Sequence, residues 1–253
     1  MMKCVFGTVV AWAVSSMIAG GSPPAPRTPI LVELFTSEGC SSCPPAEALL
    51  TQLLSGQPVA GAEIIPLEFH VDYWDRLGWK DPFSSAAFTS RQGTYTAAFA
   101  TDGNYTPQMV VDGAAQLVGS DRVKALDAIG RAGGQAHLPL GVSARIRGAG
   151  MLRVSVDAPS APAGAEPIDI LVVLAEDGVI SAVTRGENRG RTLSHTGVVR
   201  RSETIGGLDR DAFVAEGEWR LNAGWMPSRI RVVAFLQGHK THRVYGAAST
   251  PVQ

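Results

Sequence analysis

The sequence predicts an α/β fold followed by a small antiparallel β-sandwich-like domain, and three observations carry that prediction. A buried apolar run, Ile30-Leu31-Val32-Glu33-Leu34-Phe35, leads through a short turn into Cys40-Ser41-Ser42-Cys43 and then into apolar residues at helical spacing. Beyond a Gly- and Pro-bearing linker near 133–141, the pattern changes to short strand-like runs separated by turn residues. The chain's 253 residues, 45% hydrophobic and 18% charged, are enough for two buried cores.

Taken in order, the chain opens with Lys3, an apolar run from Cys4 to Val14 and small residues at Ala19-Gly20-Gly21. That layout reads as a secretory signal peptide over residues 1–20 and implies a secreted or periplasmic protein. The run is shorter than the roughly 20 apolar residues of a membrane span, so no stable span is expected once the leader is cleaved. Cleavage also removes Cys4, leaving two cysteines in one motif, which an oxidising compartment allows to pair.

The first domain is expected over 28–133. Ala46, Leu49, Leu50, Leu53 and Leu54 mark one buried stripe of a helix that starts at Cys43, and Pro44 and Pro45 suit its first turn. A strand follows over Ile64 to His70, then an aromatic, helical insertion from about Tyr73 to Phe99 with Asp81-Pro82 at a helix start. Tyr105-Thr106-Pro107 leads into the strand Gln108 to Val111, Asp112-Gly113 turns the chain, and Ser120-Asp121 caps a helix to about Arg131. The second domain, over 140–250, holds strands at Val142 to Val156, Ile168 to Ala175, Val179 to Thr184 and Arg229 to Gln237, with turns at 148–150 and Asp177-Gly178.

The chemistry is expected at the cysteines. A helix N-terminus offers partial positive charge and free N–H donors, which favour a thiolate at Cys40 and can bring its pKa from about 8.5 into a range of roughly 3.5–7.5. Cys43, further into the helix, is expected to be the more buried and to resolve a mixed disulfide formed by Cys40. Glu33, behind the motif, is the candidate base for Cys43; the alternative is a hydrated edge residue. Pro107, directly before a buried strand, occupies a place where a cis bond would sit, and Thr106 and Tyr105 could then meet a bound peptide strand. Trp74, with Tyr73, Trp79 and Phe83, lines a groove above the cysteines or else packs a core.

These segments resemble the thioredoxin superfamily: Ile30-Leu31-Val32-Glu33 leads to the cysteine pair, and Thr106-Pro107 opens a later strand. The resemblance implies a thioredoxin-like fold, a cis proline at Pro107 and a buried acid at Glu33. VELFTSEGCSSCPPAEALL, FHVDYWDRLGWKDPF, YTPQMVVDG and RGENRGRTLSHTGVVR further resemble a mostly bacterial secreted family, domain of unknown function 1223.

The expected activity is thiol-disulfide exchange with protein or small-molecule thiols and disulfides, with no cofactor and no metal ligand assigned. Two rivals stand beside it. One is a copper- or zinc-binding thiol protein in which His70 joins the cysteines, with His239 and His242 as two further ligands. The other is a binding protein whose disulfide is inert. The net charge of −1 and the lack of basic runs argue against nucleic acid. Gly186 to Arg191 reads as an anion-binding loop or a polar hairpin, and His195 has no partner visible in the sequence.

Overall fold

The computed structural model describes residues 26–148, 150–208 and 213–253; the expected leader, with Cys4, lies outside them. Strand β1 (Thr28–Thr36) runs into helix α1 (Pro44–Gly56) and strand β2 (Ala62–His70). After a 3-10 turn at Asp72–Leu77 come α2 (Ala86–Ala98), β3 (Gln108–Val111), β4 (Ala115–Val118) and α3 (Arg122–Gly133). The remainder is β: β5 (Gly141–Arg147), β6 (Met151–Ala158), β7 (Ile168–Glu176), β8 (Val179–Ala182), β9 (Thr192–His195), β10 (Val198–Leu208), β11 (Phe213–Arg220), β12 (Ile230–Gly238) and β13 (Val244–Pro251).

Eight strands form one mixed sheet in the order β13-β12-β7-β10-β2-β1-β3-β4. Strands β1 and β2 are parallel, while β3 and β4 follow antiparallel beside β1. The expected second sandwich is therefore not free-standing. One of its layers is the sheet β11-β6-β5; the other is the outer half of the eight-stranded sheet itself. The two halves join where β10 meets β2 in parallel at Val198 and Glu68, reinforced by the Glu68 N–H donating to the Gly197 carbonyl at 2.8 Å. Gly197 has a φ of 72°, and a Cβ there would lie 2.6 Å from the Pro66 carbonyl oxygen, so only glycine suits this joint.

Strand alternation decides which residues meet which layer. Leu31 and Phe35 face the side covered by α2, in a core shared with Phe69, Phe88, Tyr95, Leu171, Val173 and Phe235. Ile30, Val32 and Leu34 face the other side, where they pack on Ala46, Leu50 and Leu53 of α1 and on Ala125 and Ile129 of α3. Farther along that side, Ile170, Val172, Val232 and Ala234 pack against Leu152, Val154 and Trp219 of the three-stranded sheet.

Helix α3 begins where the sequence indicates, with the Asp121 carboxylate accepting from the Lys124 N–H. Helix α2 does not begin at Asp81-Pro82. Ser85 caps it instead, its hydroxyl accepting from the Ala87 N–H, because the Asp81 side chain is engaged elsewhere.

Candidate functional site: a disulfide above a buried carboxylate–histidine cluster

Cys40 and Cys43 are joined by a disulfide at the N-terminus of α1, with Cys43 as the N-cap and Pro44 and Pro45 supplying the first turn. Those prolines lack N–H groups that would have no helical partner there. Both cysteines are completely buried, so the expectation that Cys43 is the more buried of the two does not hold.

The loop between β8 and β9 is bonded to the turn that carries the cysteines. The buried Asn188 amide donates to the carbonyls of Glu38 and Cys40, each at 2.9 Å, and its oxygen accepts from Arg191 at 2.9 Å. One residue away, the Glu187 carboxylate accepts from the Ser41 N–H at 3.0 Å, and hydrogen bonding to Ser41 lowers its pKa. The segment read as an anion-binding loop or a plain hairpin is thus a strap across the cysteine turn.

The peptide bond between Thr106 and Pro107 is cis, as the resemblance implied. A Cβ placed on Gly119 would touch Pro107, Leu34 and Ala46 together, which sets Pro107 beside the first turn of α1. Trp74 connects this loop to the cysteine turn: its indole N–H donates to the Thr106 hydroxyl at 2.8 Å, and a Cβ added to Gly39 would meet the Trp74 Cβ at 3.2 Å. Tyr105 points its hydroxyl away to Gln116 on β4, while its carbonyl accepts from Gln92. The structure therefore gathers Cys40, Cys43, Thr106, Pro107 and Trp74, and turns the Tyr105 side chain outward.

Glu33 is not with them. It shares the parity of Leu31 and Phe35, so it faces α2 rather than α1. There its carboxylate accepts from Arg91 Nε at 2.6 Å and from the Tyr95 hydroxyl. Despite the cost of burial, Glu33 and Tyr95 hold the Arg91 guanidinium firmly charged, while burial and Glu33 push the Tyr95 phenol well above its usual range. Glu33 is buried, as the resemblance implied, but as the anchor of an ion pair. The role expected for it at Cys43 has no geometric support.

Acidic groups near the cysteine turn come from elsewhere. Glu38, Glu47, Glu68 and Asp81 gather around His70 and His195, all of them buried. His70 ends β2 and pairs through Nδ1 with Asp81 at 2.7 Å; Asp81 also accepts from the Glu38 N–H at 2.8 Å. His195 ends β9 with Nδ1 at 3.1 Å from Glu68 and Nε2 at 3.3 Å from Glu38. Glu47 lies in the first turn of α1, held by the Thr36 hydroxyl at 2.7 Å. Trp79 donates to Glu38 at 2.7 Å, and Phe83 packs edge-on against both imidazoles. The aromatics read as a groove or a core thus divide: Trp74 stands at the cysteines, whereas Trp79 and Phe83 enclose the cluster.

The electrostatics follow from the burial of many like charges. Burial, then repulsion from Glu68, raises the Glu47 carboxyl to about 7. Burial alone would lower the His195 pKa, but Glu68, Glu38 and Glu47 push it up to about 11. His70 is raised too, Asp81 outweighing desolvation, and Asp81 is lowered in return despite its own burial. The neighbours of His70 are Glu68, Asp81 and His195 rather than the cysteines it would join in a thiol metal site. His239 instead lies exposed beside Asp169 on the β12–β13 hairpin.

A disulfide-bonded C-x-x-C turn at a helix N-terminus, beside a cis-proline loop on a mixed sheet, defines a protein of thioredoxin-like fold. More specifically, the chain belongs to the family described as "Protein of unknown function (DUF1223)", whose model matches residues 31–237. It is similar to the crystal structure of protein AGR_C_4864 from Agrobacterium tumefaciens, with 27% identity and a TM-score of 0.66, covering 88% of this chain and 94% of that one. It is also similar to HBP35 of Porphyromonas gingivalis, with 15% identity and a TM-score of 0.64 over 91% of this chain and 77% of the other, a likeness of fold. No curated protein matches the sequence.

Proposed function

We propose that this protein is an exported thiol-disulfide oxidoreductase that exchanges disulfides with protein or small-molecule thiol partners. The observation that carries this reading is the Cys40–Cys43 disulfide at the start of α1 beside Thr106-Pro107. In the reducing direction, the Cys40 thiolate attacks a partner disulfide, forming a mixed disulfide and expelling one partner thiolate. The Cys43 thiolate then attacks the Cys40 sulfur, releasing the second partner thiolate and closing the disulfide. The oxidising direction runs the same steps backwards. Export rests on the leader pattern of residues 1–20 and on a cysteine pair suited to an oxidising compartment.

A second reading has an observation of its own. Because both cysteines are fully covered and Asn188 ties the strap to the Cys40 carbonyl, an inert disulfide in a binding protein also fits. The reduction potential separates the two, measured by equilibrating the protein with glutathione and alkylating free thiols. A value between about −270 and −120 mV is expected for an exchange catalyst, whereas a pair that stays oxidised below about −300 mV rejects catalysis.

A further inference from the structure

We propose that Glu68, His70 and His195, with Glu47 at a fourth corner, form a buried zinc-binding site distinct from the cysteine pair. It does not depend on whether the cysteines exchange disulfides.

The argument begins with an atom that hydrogen bonding leaves over. His70 is fully buried, and among the described residues its Nε2 has no hydrogen-bond partner. Its other nitrogen is committed to Asp81, so Nε2 is the free end of an oriented imidazole. The nearest carboxylate oxygen, Glu68 Oε1, lies 3.7 Å away, too far for a hydrogen bond. A buried polar atom left in that state normally costs stability and calls for an explanation.

The spacing supplies one. Metal–ligand bonds of about 2.0–2.1 Å in a tetrahedral zinc site put neighbouring ligand atoms about 3.3 Å apart. Here Glu68 Oε1 is 3.1 Å from His195 Nδ1 and 3.7 Å from His70 Nε2, and Glu47 Oε2 is 3.7 Å from His195 Nδ1. Ligand atoms from Glu68, His70 and His195 all lie within 4.8 Å of one another; Glu47 stands just outside that set, beside His195, and closes the fourth corner by a side-chain shift. Two nitrogens and two carboxylate oxygens are a donor set zinc accepts.

Each of the four side chains is also held from behind. Asp81 pairs with the far nitrogen of His70, and Glu38 with that of His195, the carboxylate–histidine arrangement that fixes ring orientation and strengthens an imidazole as a ligand. Thr36 holds the second oxygen of Glu47, and the Thr196 N–H donates to the second oxygen of Glu68 at 3.0 Å. Charge points the same way. Four carboxylates share one buried space, and a dication bound among them is a counter-charge whose binding displaces the protons of the two imidazoles.

The test is a zinc titration of the full-length protein against a chromophoric chelator, with metal analysis and thermal melts, repeated on the C40S/C43S double variant. The expected result is one zinc per chain in both proteins, with melting temperature rising by about 5–10 °C at a hundredfold excess over the dissociation constant. Cobalt in place of zinc shows a ligand-field spectrum without a thiolate charge-transfer band. Asp81→Asn, which leaves all four ligands in place, weakens binding by about 10–100-fold. Absence of zinc binding by the full-length protein overturns the proposal, and so does binding that disappears in C40S/C43S. Should Asp81→Asn fail to fold, the titrations of the parent protein and the cysteine variant still decide the matter.

Discussion

At the scale of single residues, the parity of a β-strand decided what Glu33 does. The sequence shows one acid inside an apolar strand before the cysteines, which fits either a base for Cys43 or a hydrated edge residue. Alternation places it beside Leu31 and Phe35, and Arg91, 58 residues away, takes its charge. Which sheet face α1 would cover was not legible from the strand alone. Asn188 was equally hidden: nothing in Gly186-Glu187-Asn188 announces that the last side chain turns inward. Its two bonds to the cysteine turn give a direct prediction. Asn188→Ala leaves the Glu38 carbonyl unpaired under the strap and the Cys40 carbonyl with only the Cys43 N–H, a loss of about 1–3 kcal/mol in stability. Because reduction of a covered disulfide proceeds through local opening, its rate with dithiothreitol is expected to rise roughly tenfold or more. An unchanged reduction rate would mean that the strap does not guard the sulfurs.

At the scale of elements, the parts with strong local signals were the legible ones. Helix α1 follows from its leucine stripe and paired prolines, and α3 from its aspartate cap; the cis bond at Pro107 was anticipated from the resemblance. Helix α2 starts later than expected because Asp81, a good cap by residue type, is drawn to His70 and the Glu38 N–H. The hairpin joining β12 to β13 depends on a residue outside both strands. Glu166 accepts from the N–H groups of Lys240 and Thr241 at 2.8 and 3.1 Å, and from the Thr241 and Tyr245 hydroxyls. Burial pushes its pKa up, but these bonds together outweigh it and lower the pKa to about 2. A depressed carboxylate stabilises the folded state above its unfolded pKa near 4.3, and that contribution is lost as pH falls through the folded value. Glu166→Gln is therefore expected to melt about 2 °C below the parent protein at pH 6 to 7, with the gap closing between about pH 4.5 and 2. A gap independent of pH would assign the effect to packing of the turn rather than to the charge.

At the scale of the whole molecule, the linker and change of period near 133–141 suggest two domains, yet β10 extends the sheet that β1 and β2 begin. Local patterning could not reveal this because the joint is made by residues far apart in the chain, Glu68 with Gly197 and Val198. The same distance hid the cluster: Glu38 and His195, now in contact, are 157 positions apart. These facts bear on what the first 140 residues would do alone. Without β7, β10 and β12, Phe35, Phe69 and Tyr95 lose Leu171, Val173, Val199 and Phe235 from their shared core. Strand β2 becomes an apolar edge open to pairing with other chains. Removal of His195 also leaves Glu38, Glu47, Glu68 and Asp81 gathered around one imidazole, a concentration of buried negative charge that folding would have to tolerate. A fragment ending at residue 140 is thus expected to lack a cooperative urea transition by circular dichroism and to self-associate, whereas the full chain unfolds cooperatively. A soluble, monomeric fragment with a sharp transition would show that the inner half of the sheet is a domain in its own right, with the outer half docked on it at Val198.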